Sequence, residues 1–245
     1  RKRSAAARSA VMSRSGMSSL LWAATAARPA ALVLAGAAAA ADGWINLFNG
    51  KNLDGWEQHS GTAKYRVENG EIVGTTVLKT GNSFLCTKKT YGDFILEFEF
   101  KVAKDMNSGV QFRSEFYVSE TEKEINGKKK KFPADRVFGY QYEIDPSPRA
   151  YTGGIYDEAR RGWLADLKDN PAAQKAFKQG DWNKARIECR GDQIQTFING
   201  VKAADLKDGM TLRGVIALQV HGIGDGKKNP PGEEIRWRNI RLKEL

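Results

Sequence analysis

Two cysteines and two histidines are all that 245 residues hold, too few for a zinc framework built on repeated Cys and His ligands. Cys86 and Cys189 leave room for one bridge at most, and two separate buried thiols are the alternative. Long apolar runs are missing too. The longest, Ala30-Ala31-Leu32-Val33-Leu34-Ala35, is too short to span a bilayer. Residues 1–41 lack acid altogether while carrying Arg1, Lys2, Arg3, Arg8, Arg14 and Arg28. This basic start, followed by an apolar stretch and small residues up to Ala41, reads as an export leader cleaved near Ala40 or Ala41. A secreted or periplasmic protein is the expectation, with an upstream extension before Met12 or Met17 as the rival. No cysteine follows the apolar run, so a lipid anchor is not expected.

The formal charge of +10 invites a nucleic-acid partner, but its distribution argues otherwise. The leader holds six of the 39 basic residues and none of the 29 acidic ones, so 33 basic residues face 29 acidic ones from Asp42 onward. No nucleic acid is expected. The one dense basic run, Lys128 to Lys131 after Asn126-Gly127, reads as a solvated loop tip.

What remains, residues 42–245, is one domain of short alternating segments punctuated by Gly, Asn and Asp. Trp44 and Phe48 read as core anchors. Asn69-Gly70 between Tyr65–Glu68 and Glu71–Gly74 is a strong hairpin signal, and Asn199-Gly200 ends another strand. Phe94, Leu96, Phe98 and Phe100 alternate with Glu97, Glu99 and Lys101, one face for a core and one for water. Val110 to Arg113 and Tyr140 to Asp145 repeat that pattern. The segment Arg160–Gln179 is the exception, with short helical turns expected around Pro171. About a dozen strands, the last able to pair near the first, predict an all-β fold. Its form is a two-sheet antiparallel jelly-roll sandwich of concanavalin A-like type.

If the strands around Gln111, Gln141 and His221 share a sheet, their polar faces bring together Gln111 and Arg113, then Gln141, Glu143 and Asp145, then Gln219 and His221. Amides, carboxylates, a guanidinium and an imidazole on one face suit polyol recognition or acid–base chemistry. The stretch from Pro146 to Glu158 carries two prolines and Gly153-Gly154, and would present Tyr156 and Glu158 at a rim, where rings pack on sugars and carboxylates grip hydroxyls. The plainer alternative is ordinary surface salt bridges and a capping loop.

Glu143-x-Asp145 on a strand is similar to the carboxylate pair of laminarinase-type glucanases. The third carboxylate is missing, since Pro146-Ser147-Pro148-Arg149 follows, and the pair a retaining glycosidase sets about 5 Å apart is incomplete. Five motifs carry a closer likeness: Leu47 to Trp56 (LFNGKNLDGW), Asn107 to Arg113 (NSGVQFR), Gly139 to Asp145 (GYQYEID), Gly153 to Tyr156 (GGIY) and Ile235 to Leu242 (IRWRNIRL). Through them the chain resembles the bacterial 3-keto-disaccharide hydrolase family from Trp44 to Leu245. The resemblance implies a jelly roll and cleavage of glycosides already oxidised at C3, by C2 proton abstraction, elimination and rehydration. On that reading His221 or Glu143 is the base, and Arg113, with or without a divalent cation, stabilises the enolate oxygen. Asp145 orients the base or, with Glu143, binds the metal, while Gln111, Gln141, Tyr156, Glu158 and Gln219 hold substrate. The alternative is a non-catalytic carbohydrate-binding module.

Overall fold

The structure, a computed structural model, describes residues 42–104 and 106–245, so the expected leader lies outside the described residues. Seventeen strands and one short helix run among them. In chain order they are β1 (Ile45–Asn46), β2 (Trp56–Ser60), β3 (Lys64–Glu68), β4 (Glu71–Thr75), β5 (Ser83–Thr87), β6 (Phe94–Val102), β7 (Ser108–Ser114), β8 (Thr121–Ile125) and β9 (Lys128–Phe132). There follow β10 (Gly139–Ile144), β11 (Ile155–Glu158), β12 (Gly162–Ala165), α1 (Pro171–Ala176), β13 (Asn183–Arg190), β14 (Gln193–Ile198), β15 (Val201–Lys207), β16 (Val215–Val220) and β17 (Glu234–Glu244). No helix among them is long and apolar enough to cross a membrane.

Two antiparallel sheets form the sandwich. One is ordered β15-β14-β13-β6-β17-β4-β3 with β1 on β17, the other β12-β11-β10-β7-β16-β5-β2. The first strand does pair with the last, Ile45 opposite Leu242. Alternation drives the packing. Phe94, Leu96, Phe98 and Phe100 turn inward and are buried, as are Val110, Phe112, Tyr140, Tyr142 and Ile144 of the second sheet. Phe98 meets Tyr142 edge-on at 5.6 Å across the interface. Each such side chain withdraws enough apolar surface to contribute roughly 2 kcal/mol. Outward, Glu97 bridges Arg186 and Arg241, and Glu99 pairs with Arg238.

The hairpin at Asn69-Gly70 forms as expected, with φ of 52° and 77°, the doubly positive φ of the turn that matches strand twist. Asn199-Gly200 behaves likewise, with φ of 49° and 84°. Both cysteines are free and buried, Cys86 in the β2-containing sheet and Cys189 in the other. Burial raises both thiols, Cys189 to about 12.

Four expectations are corrected. Lys128 to Lys131 is a strand of the β8–β9 hairpin, not a loop tip, because Asn126-Gly127 is the turn and the lysines alternate along it. Trp44 is half-buried rather than core, with the Arg241 guanidinium 4.5 Å from its ring centre. The stretches after Gly154 and Arg161 are β11 and β12, extending the second sheet beyond β10. The helical turns expected around Pro171 do form, as α1, capped by the Asn170 side chain with proline at its first position. Last, β7 and β10 are buried on both faces: their polar face lies at the bottom of a groove.

Candidate functional site

Register sets the floor of that groove. Glu143 lies opposite Gly109, which lies opposite Gln219, and Gln141 lies opposite Gln111. Three adjacent strands thus put polar residues of alternate positions on one face. Gln219 lies on β16 with His221 just past its end, Gln141 and Glu143 on β10 with Asp145 just past its end, and Tyr156 and Glu158 on β11. All seven line one cavity of about 1440 Å³, joined by Asn82, Lys104, Asn107, Arg149 and Trp163. That volume exceeds a usual small-molecule pocket and suits more than one sugar ring.

Glu143 is only 4% exposed. Asn107 Nδ2 donates to its Oε1 at 2.7 Å, and Gln141 Nε2 to its Oε2 at 2.7 Å. Burial outweighs these two donors and lifts the carboxyl to about 7. The carboxylate then fixes the direction of every amide behind it. With Gln141 donating forward, its Oε1 must accept, and Gln111 Nε2 and Gln219 Nε2 supply donors at 2.6 and 2.8 Å. Ser114 Oγ donates in turn to Gln111 Oε1 at 2.9 Å. The chain of bonds is directional.

Gly109 makes room for it. A Cβ there would lie 2.5 Å from Gln141 Cδ, so the Gln141 amide crosses the strand only because residue 109 has no side chain. Gly109→Ala is therefore expected to displace Gln141. The resulting strain should cost about 1–3 kcal/mol, read as a lower urea midpoint together with a pH optimum moved away from that of wild type.

His221 Nδ1 lies 2.8 Å from the Gly222 carbonyl oxygen. Only a donor suits that contact, so the proton sits on Nδ1 and the Nε2 lone pair is free in the neutral ring. Asn82 braces this corner, accepting from Gly222 N at 2.9 Å and donating to Glu158 Oε1 at 3.2 Å. Arg136 also grips Glu158, so Glu158 is a tethered wall group.

Arg113 does not reach the groove. Across from Val215 and Ala217, two residues apart, stand Ser114 and Gln111, three apart, so β7 carries one extra residue as a bulge. Arg113, with φ of 46°, is turned out of alternation. Its guanidinium bonds the carbonyls of Gly92 and Gly191 at 2.8 and 2.6 Å and Asp93 at 2.8 Å. It is a strut. Gln111 is also out of reach, fully buried beneath Gln141. Asp145 touches neither Glu143 nor His221 among its hydrogen-bond partners. It accepts from Ser147 N at 3.1 Å and Arg149 Nε at 2.7 Å, so it orients Arg149.

The carboxylates do not fit the cation considered for them. Among the described residues no group of three or more His, Cys, Asp or Glu is arranged to hold a metal. Glu143 and Asp145 already accept from amides, a backbone N–H and a guanidinium.

Sequence reasoning passed over four residues. Asn107 is in phase with Gly109 and Gln111 and was legible by alternation. Arg149 follows Asp145 by four, near enough along the chain to pair with it. Asn82 and Trp163 had no signal of their own. Trp163 stands edge-on to Tyr156 at 5.3 Å and to Tyr151 at 5.2 Å. The Arg149 guanidinium lies 5.2 and 5.3 Å from the Tyr151 and Trp163 ring centres, forming an aromatic wall with a cation upon it.

Comparison with known proteins adds three findings. Residues 43–243 match the family described as a 3-keto-alpha-glucoside-1,2-lyase-like domain. A curated 3-keto-disaccharide hydrolase of Bacteroides thetaiotaomicron is 32% identical over 161 residues, 60% of this chain and 52% of that protein. The chain thus spans about half the length of that relative. Among solved structures, a candidate glycosyl hydrolase of Parabacteroides distasonis superposes with a TM-score of 0.52 at 20% identity, covering 84% of this chain and 95% of its own. A carbohydrate-binding module of Bacillus subtilis does so with a TM-score of 0.52 at 15% identity, covering 78% and 96%. At such identities these two likenesses speak to the fold.

Proposed function

Because the chain belongs to the 3-keto-alpha-glucoside-1,2-lyase-like family, we propose that its groove cleaves glycosides carrying a ketone at C3, with Glu143 as the base that removes the C2 proton. The supporting observation is Glu143 itself: a buried carboxyl raised to about 7 at the floor of a sugar-sized groove. A base poised near neutrality is what proton abstraction beside a carbonyl needs.

The ketone makes the C2 proton acidic. Glu143 takes it, and the C–H electron pair forms the C2–C3 enolate with charge on the C3 oxygen. Arg149, held by Asp145 through Nε alone, keeps its other guanidinium nitrogens for that charge. The enolate re-forms the ketone, C1–C2 becomes a double bond, and the C1–oxygen bond breaks. The departing oxygen collects the proton Glu143 acquired. Water then adds to C1, giving its proton to His221 Nε2, and the imidazolium returns a proton to C2. The net change is hydrolysis.

The test is incubation in D2O with a 3-keto-disaccharide and, separately, its unoxidised parent. Cleavage of the keto sugar alone, with deuterium at C2 of the released ulose, is the expected result. Comparable cleavage of the parent, or a product without deuterium at C2, would overturn it. The aromatic wall favours one other reading, a binding module, for which neither sugar is cleaved and both are bound. As an enzyme, Trp163→Ala is expected to raise KM about tenfold with kcat nearly unchanged, because stacking on a remote ring grips ground and transition states alike.

A further inference from the structure

One atom at the floor is unsatisfied. Gln219 is fully buried and lines the groove, its Nε2 is committed to Gln141 Oε1, and its Oε1 has no hydrogen-bond partner among the described residues. A buried acceptor left unpaired is costly. Rotating the amide does not rescue it, since that would set two acceptors face to face at 2.8 Å. The Gln141 amide is held in turn by the Glu143 carboxylate, which accepts only. The orientation is therefore dictated through two residues by the charge at Glu143, and the floor presents two acceptors, Glu143 and Gln219, on either side of the Gln141 amide.

We infer that Gln219 Oε1 is a specificity-determining acceptor for the hydroxyl on the same carbon from which Glu143 removes hydrogen, so that the site selects 3-keto-glycosides bearing a free 2-hydroxyl. This rests on the cleavage reading above. The carbon at C2 carries one hydrogen and one hydroxyl, and a pair of acceptors in one row across β10, β7 and β16 suits both. A ketone oxygen, itself an acceptor, finds no donor from Gln219. The C3 carbonyl is thereby turned away from the floor toward the side of Arg149, and the ring has one productive orientation. The amides nearest the base thus read substrate as well as hold the base.

The test compares, in wild type and Gln219→Met, kcat/KM for a 3-keto-glucoside and for its 2-deoxy and 4-deoxy analogues. The variant is expected to lose roughly 30-fold on the parent keto sugar and on its 4-deoxy analogue, and less than about threefold on the 2-deoxy analogue, as loss of one buried polar partner implies. Equal losses on all three would mean that Gln219 only supports Gln141, and would overturn the assignment. A loss spared by the 4-deoxy analogue instead would also overturn it. Because the readout is a ratio within one preparation, partial misfolding cancels, and Gln219→Asn serves if the methionine variant does not fold. Wild type that cleaves no keto sugar at all would bring down the cleavage reading, an outcome separate from the ratios.

Discussion

Replacing Glu143 with Gln is expected to leave a folded protein whose kcat on a 3-keto-glycoside falls about 10³-fold, within the range that general-base removal produces. Gln is nearly isosteric and keeps one acceptor for Asn107 or Gln141, so the groove survives while the proton acceptor does not. The pH dependence carries a second signature. Wild-type kcat/KM should rise with pH through about 7, because the working form is the ionised carboxylate, and E143Q should lose that limb from its residual rate. A single-turnover assay between pH 5 and 9 reads both. An E143Q protein that still cleaves within tenfold of wild type would shift the role of base to His221.

The same carboxyl links catalysis to stability, with a definite sign. Its folded pKa of about 7 stands above the ordinary 4.5, so the folded protein holds this proton more tightly than the unfolded chain. The stabilisation is complete below about 4.5 and disappears as pH rises through about 7. Relative to E143Q, wild type should therefore lose stability across that window, by at most about 3 kcal/mol from a shift of this size. Urea unfolding of both proteins at pH 5 and pH 8 tests it, and a difference that does not change with pH would contradict the burial of an ionising group at 143. A site whose burial disfavours the ionised form it works in gives up stability for reactivity.

Alternation made much of this legible. The faces of β6, β10 and β16 follow a strict two-residue period, so Phe94 to Phe100 read as core, and Gln141, Glu143, Gln219 and His221 read as one polar face. Arg113 was misread for a local reason. A bulge adds one residue to β7 and reverses the facing beyond it, and nothing in Gly109-Val110-Gln111-Phe112-Arg113 marks where the register slips. Asn82 and Trp163 were illegible for a different reason. They come from loops and edge strands brought to the groove by tertiary packing, and alternation within one strand carries no information about which strands become neighbours. Burial also escaped the sequence: an amide-rich strand face looks wet, yet loops cover it, and that covering is what raises Glu143.

Arg113 offers the sharpest separation of the two accounts. If it were an enolate-stabilising cation, Arg113→Met would lower kcat and leave stability alone. The geometry predicts the reverse. The side chain is fully buried, and its guanidinium satisfies the carbonyls of Gly92 and Gly191 while pairing with Asp93. Asp93 in turn accepts from Gly191 N at 3.0 Å, so one guanidinium ties the turn before β6 to the turn between β13 and β14. Met fills much of the volume but takes the donor from two carbonyls, and since Gly92 is half-buried and Gly191 exposed, water replaces part of it and the two together cost about 2 kcal/mol. Asp93 is half-exposed, and water takes over its share, so the ion pair adds little. The expected loss is about 2 kcal/mol, a drop in Tm of roughly 4–8 °C for a domain of this size. At 20 °C, where the variant remains folded, kcat and its pH dependence should match wild type within about twofold. A kcat loss of 100-fold with unchanged Tm would return Arg113 to the active site and require the bulge in β7 to be absent.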